Sequence, residues 1–306
     1  LKVLLTGATG FIGSQVARAL RSAGHDVRVS IRPDSDRSAI ADLADGLEFE
    51  VCDLWAASDG ELAGLCRGAD LCVHAAWYAV PGEYLASPEN LRCVSGSLAL
   101  IDALAAAGCP RVAMVGSCFE YEFGPEPLRE SSPVDPRSLY AAAKAATRFM
   151  GGQLAALRGM SFLWARPFYQ YGPFEHPKRL VPAVMTALLR GERVDVSSGV
   201  QVRDFLHVRD VGAALAAAAT SELTGVVNVG SGRPVTVREI VTTIESLVGA
   251  SGLVNFGGRP DNPTDPPFVV ADVGRLTGAT GWAPRRDLRE GLRDTLEWWK
   301  AREERR

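Results

Sequence analysis

The stretch KVLLTGATGFIG, from Lys2 to Gly13, constrains this chain more than any other. Val3 to Leu5 reads as a buried strand that breaks at Thr6-Gly7. From Phe11 through Leu20 the apolar residues Ile12, Val16, Ala19 and Leu20 then recur at helical spacing. Strand, glycine turn and helix, in that order, are the context in which a glycine motif holds a nucleotide. Gly7 permits the tight turn, Gly10 lets the backbone approach a pyrophosphate, and Gly13 lets helix and strand pack closely. The phosphates then meet unpaired N–H groups and the positive end of the helix dipole. The spacing is G-x-x-G-x-x-G rather than G-x-G-x-x-G, and on the glycines alone the alternative is an ordinary strand-to-helix turn.

The alternation of strand and helix continues along the chain. Strands are expected at Asp26–Ile31, Leu47–Leu54, Asp70–Ala76, Arg111–Gly116 and Ser161–Pro167, and helices at Glu61–Arg67, Glu89–Ala107 and Tyr140–Leu157. Short apolar strands between amphipathic helices predict an α/β fold with a doubly wound parallel sheet of Rossmann type. Past Arg166 the pattern changes. Prolines punctuate a loop-rich stretch with a helix at Leu180–Leu189, a strand-like RDFLHV at 203–208 and a helix from Asp210, which should cap it. A short strand (Val226 to Val229), a helix (Val237–Val248), a proline-rich loop and a final helix from Asp287 complete the pattern. The expected division is a dinucleotide-binding domain over 1–167 and a smaller mixed substrate domain over 168–306, with segments near 203–225 returning to the first.

The 306 residues, 47% of them hydrophobic, suffice for such a core. A net charge of −3 argues against a nucleic-acid partner. The cysteines at 52, 66, 72, 93, 109 and 118 form no C-x-x-C pair, so they read as reduced small hydrophobes and no metal site is expected. No apolar run reaches membrane-spanning length and the chain opens directly on a strand, which predicts a cytoplasmic protein with no membrane partner.

An acid at the end of the second strand would accept the ribose 2′-hydroxyl of NAD. Here Ser30 and Arg32 stand there instead, with no acid until Asp34. A hydroxyl and a guanidinium fork suit a 2′-phosphate, so NADP(H) is favoured and NAD(H) stays open. The alternative for Arg32 is a solvated strand-end cation. Asp53 and Leu54 are placed to meet the adenine edge, although an Asp there equally suits a cap on the next turn.

Tyr140 and Lys144, in YAAAK, share a helix face. A nearby ammonium favours the phenolate, so the pair can pass a proton to or from a carbinol or carbonyl oxygen while hydride moves on a nicotinamide. Ser117 follows the fifth strand, at the sheet edge that carries the glycine turn, and could hydrogen-bond the same oxygen.

Seven motifs then stand in one order: TGATGFIG, Asp53-Leu54, HAA at 74–76, Ser117, YAAAK, ARPFYQYGP at 165–173 and RDFLHVRD at 203–210. Together they resemble the extended short-chain dehydrogenase/reductase family, in its nucleotide-sugar epimerase, dehydratase and ketoreductase branch, over essentially the whole chain. The resemblance implies Tyr140 as general acid/base, Lys144 as the ribose-binding group that lowers the Tyr140 pKa, and Ser117 as polariser of the substrate oxygen. It adds Phe11, Ile12, Ala75 and Pro167 to the cofactor-binding glycines, and Cys118 and Tyr169 to the substrate crevice. Arg203 and Arg259 match arginines that grip the substrate's diphosphate; by themselves both read as exposed-loop cations. His207 reads as structural, being inside an apolar strand. Many members dimerise through the helices flanking the fifth strand, so a homodimer is possible, although the same Ala-rich surfaces could face the sheet.

Departures from the family pattern narrow the reaction. In the branch's 4,6-dehydratases an Asp–Glu pair directly follows the serine, whereas here Cys118 and Phe119 do, with Glu120 one place late, where a loop shift could bring it in. Dehydration is therefore disfavoured. Tyr169 replaces the usual Asn of that branch, and the NADP preference favours net reduction. The expected activity is reduction of a nucleotide-linked 4-keto-6-deoxysugar. An epimerase with non-consumed NAD(P), or a reductase of a small non-sugar ketone, is the alternative.

Overall fold

The computed structural model describes residues 1–304. Its first half holds β1 (Lys2–Thr6), α1 (Phe11–Ser22), β2 (Asp26–Ile31), β3 (Leu47–Val51), α2 (Asp59–Cys66), β4 (Leu71–His74), α3 (Glu89–Ala106), β5 (Arg111–Val115), α4 (Leu139–Leu157) and β6 (Ser161–Pro167). The second half holds β7 (Tyr169–Tyr171), α5 (Leu180–Leu189), β8 (Val194–Val196), β9 (Val202–Arg203), β10 (Phe205–His207), α6 (Val208–Thr220), β11 (Gly225–Val229), β12 (Val235–Thr236), α7 (Val237–Val248), β13 (Val254–Phe256), β14 (Phe268–Val269), α8 (Gly274–Thr280) and α9 (Leu288–Glu303). Two 3-10 segments, Ser38–Gly46 and Cys118–Glu120, join them.

Seven strands make one parallel sheet in the order β11-β6-β5-β4-β1-β2-β3. This is the doubly wound Rossmann-type arrangement expected from the alternation. The central strands β1, β4 and β5 are apolar on both faces because both faces are covered, whereas the edge strand β3 alternates and leaves Glu48 and Glu50 exposed. Val3, Leu5, Val27 and Val29 point into a core shared with α1 and α6, while Leu4, Cys72, Val112 and Met114 point into one shared with α3 and α4. The chain therefore returns to the sheet late: α6 covers its α1 face and β11 extends it beside β6. A third core gathers α5, α7 and α9 around Met185, Ile240, Ile244, Leu296 and Trp299.

Three local expectations are corrected. The third strand stops at Val51 rather than Leu54, because the Asp53 carboxylate accepts from the Trp55 amide (3.1 Å) and turns the chain. RDFLHV is two strands, not one. β9 pairs with β12 and β14 while β10 pairs with β7, and between them the buried Asp204 accepts from the Ser231, Gly232 and Ala271 amides. Asp210 is not the cap of the helix that contains it. The His207 ring accepts from the Arg209 amide (3.3 Å) and starts α6 two residues earlier, leaving Asp210 buried and paired with Arg286 at 3.2 Å.

Candidate active site

Because every strand of the sheet runs the same way, the loops after β1, β4, β5 and β6 open at one edge, where ligands of such sheets bind. A cleft of about 670 Å³ lies there. Gly7, Gly10, Phe11, Ile12 and Gly13 line it after β1, Ala75 and Trp77 after β4, Ser117 and Cys118 after β5, Pro167 at the end of β6 and Tyr169 at the start of β7. Tyr140 and Lys144 enter from α4, and Arg203 and Arg259 from the second half.

The glycine turn fits a dinucleotide by its geometry. Gly7 has φ +73°, and a Cβ there would lie 2.6 Å from the Ala76 nitrogen. A Cβ on Gly13 would lie 2.1 Å from the Gly7 carbonyl oxygen, so α1 starts as close to the turn as backbone allows. The Gly10 amide is already taken by Gly7 (3.0 Å), and Phe11 begins α1 with the free N–H groups of a helix N-terminus.

The Lys144 ammonium is buried, donates to the Val115 carbonyl (2.7 Å), and sits 3.7 Å above the Trp77 ring and 5.9 Å from the Tyr140 ring. Burial lowers its pKa to about 7, with Glu120 and Cys93 pulling back upward. Tyr140 is half-buried, its ring edge-on to Tyr84 (4.8 Å) and Trp77 (6.4 Å). Burial pushes its phenol up, and a hydrogen bond with Ser117 is the contact that pulls it down. The Lys144 ammonium is held by the Val115 carbonyl and the Trp77 indole face. Trp77 and Tyr84 thus brace the tyrosine. Aromatic spacing carried no signal for that, since their loop has no regular period.

Glu120 is the clearest reassignment. Fully buried, it accepts from the Ser117 amide (2.9 Å), the Trp164 indole (2.9 Å) and Arg166 (2.8 and 3.0 Å), with Arg148 at 3.7 Å. It lies behind the cleft wall as the fastening between β5 and β6. Burial also pushes the Cys118 thiol up to about 12, far from a reactive thiolate.

On the cofactor side, Ser30 is buried at the end of β2, and Arg32 is exposed, 3.6 Å from Asp34, on a neighbouring cavity of about 530 Å³ that also meets Phe11. Leu54 packs into the core under α2 and α3, away from the cleft. On the substrate side Arg203 is not an exposed-loop residue. It is 2% exposed, ion-paired with Asp265 at 2.7 Å, and its guanidinium is 5.3 Å from the Tyr169 ring centre. Arg259 is exposed at the cleft mouth, where its backbone amide donates to Val196 (3.1 Å).

Residues 3–230 match the NAD dependent epimerase/dehydratase family. The chain belongs to that family. Among its relatives, a UDP-glucose 4-epimerase from Azospirillum brasilense is 29% identical over 99% of this chain and 93% of its own. A dTDP-glucose 4,6-dehydratase from Streptomyces griseus is 30% identical over 97% and 93%. Of solved structures, MoeE5 in complex with UDP-glucuronic acid and NAD superposes with a TM-score of 0.85 at 31% identity, covering 99% of this chain and 100% of that one. This member of the epimerase/dehydratase family is therefore an enzyme of the extended short-chain dehydrogenase/reductase type. Among its described residues no helix is long and apolar enough to cross a membrane.

Proposed function

We propose that this chain reduces a keto group on a nucleotide-linked 4-keto-6-deoxysugar at the expense of NADPH, with Tyr140 delivering the proton to the carbonyl oxygen. The observation that carries the reading is the locked state of Glu120: the carboxylate nearest Ser117 in sequence is consumed by Arg166 and Trp164. An elimination needs a free acid–base pair beside the serine, and proton transfer by a tyrosine does not. The dinucleotide, when bound, supplies hydride at its nicotinamide. Ser117 polarises the substrate oxygen, and Lys144 binds the ribose once it leaves Val115. Arg203 and Arg259 hold the substrate's diphosphate, with Cys118 and Tyr169 shaping the sugar pocket. Ser30 and Arg32 hold the 2′-phosphate, and Asp53, capping its turn, flanks the adenine.

In this proposal residues 1–167 carry the dinucleotide and 168–306 the sugar, in a cytoplasmic protein. A second reading, epimerisation with a retained cofactor, is favoured by the UDP-glucose 4-epimerase relative and by the NAD held in MoeE5. Binding of NADP+ against NAD+ to the wild type and to Arg32→Ala separates the two cofactor assignments. The reductase reading expects tighter NADP+ binding that Arg32→Ala abolishes, and equal or tighter NAD+ binding contradicts it.

A further inference from the structure

Between β7 and α5 the chain crosses from the sheet to the second half in a loop over 172–179. Phe174 in that loop has φ +68°, the only non-glycine residue with positive φ among the described residues. Its ring rests on Trp298 with centroids 4.8 Å apart, which holds the strained turn in place. The turn buries the next side chain. Glu175 is 8% exposed and its Oε2 has no hydrogen-bond partner. A strained backbone and an unpartnered buried carboxyl both cost stability, and an apolar residue at 175 would avoid the second cost.

The position shows what the carboxyl faces. Glu175 lines both the cleft that holds Tyr140 and Lys144 and the adjoining cavity that reaches Arg32. Phe11, the first residue of α1, and Trp77 line both as well, so Glu175 stands at their junction, on the side of the second half. We propose that Glu175 binds the dinucleotide's pyrophosphate from this side, donating a hydrogen bond to a phosphate oxygen held over the start of α1. Burial raises its pKa to about 8, with Arg179 opposing, so at neutral pH the carboxyl carries the proton such a bond needs and no charge to repel phosphate. The loop thereby closes the second half onto the cofactor, complementing the backbone donors beneath. This inference rests on the proposed dinucleotide site.

Titration calorimetry of the whole chain with NADP+, with NAD+ and with UDP-glucose, paired with thermal melts, tests it on Glu175→Gln and Glu175→Ala. The amide keeps a donor, so Glu175→Gln should bind within about threefold of wild type, and Glu175→Ala about tenfold more weakly. Glu175→Ala should melt at or above the wild-type temperature, because it buries no unpartnered polar group, and Glu175→Gln near it. Unchanged binding in Glu175→Ala overturns the proposal, as does weakening in both variants accompanied by a lower melting temperature, which marks a packing role. An effect confined to UDP-glucose binding overturns it too, by placing the carboxyl on the sugar. A wild type that binds neither dinucleotide sinks the proposed function itself, and the inference with it.

Discussion

In the proposed reaction Tyr140 delivers the proton, and its surroundings set how that single hydroxyl can be tested. Trp77 and Tyr84 hold its ring edge-on, so Tyr140→Phe keeps the packing and removes only the proton. Turnover should fall by roughly 10²-fold or more while the melting temperature and dinucleotide affinity stay unchanged, as steady-state assays and calorimetry would show. His74 makes a different kind of contribution. Its ring bridges Thr6 (2.7 Å) and Ser97 (2.9 Å), tying β1 and β4 to α3, and burial lowers its pKa from 6.5 to about 3. The unfolded chain therefore takes up a proton that the folded chain refuses. His74 stability is full above pH 6.5 and is lost as pH falls toward the folded value, at about 1.4 kcal/mol per unit. Burial lowers the His207 pKa to about 3 as well, so urea melts between pH 7.5 and about 5 should show both contributions together, and His74→Gln should roughly halve the slope. Spacing on one helix placed Tyr140 and Lys144 on a common face, but the burial that shifts each group depends on Trp77, Tyr84 and Val115, which lie far away in sequence.

At the scale of elements, the connection between β5 and β6 depends on Glu120. Removing its carboxylate leaves Arg166, 1% exposed, without a counter-charge, so Glu120→Ala should lose about 3–5 kcal/mol in denaturant titrations. Replacing both partners by apolar side chains should lose less, since no buried charge is then stranded. Sheet strands and long helices were legible because their periodicity is strong: α5, α7 and β2 begin and end where spacing alone puts them. The errors fall where a single side chain overrides propensity. Asp53 bends the chain after β3, Asp204 splits RDFLHV in two, and His207 caps α6 in place of Asp210. A propensity scale ranks Asp above His as a cap, and only the tertiary position of the ring reverses that order.

For the whole molecule, the parallel sheet and its ligand edge were readable from strand–helix alternation, whereas the state of the arginines was not. Arg203 and Arg259 are both loop-flanked in sequence, yet one is sealed against Asp265 and the other is open to solvent. The outer faces of α3 and α4 expose Leu91, Phe149, Met150 and Leu157, and we propose that a homodimer forms by burying this surface. Light scattering should report twice the monomer mass, and Phe149→Glu with Met150→Lys should return it to one chain without altering dinucleotide affinity. Net reduction distinguishes the proposed enzyme from its epimerase relatives, and NADPH absorbance reports it when the chain is mixed with a nucleotide-linked 4-keto-6-deoxyhexose. A reductase consumes one NADPH per sugar reduced, and none with Tyr140→Phe. Sugar converted to an isomer with the NADPH band unchanged would contradict net reduction and establish the epimerase instead.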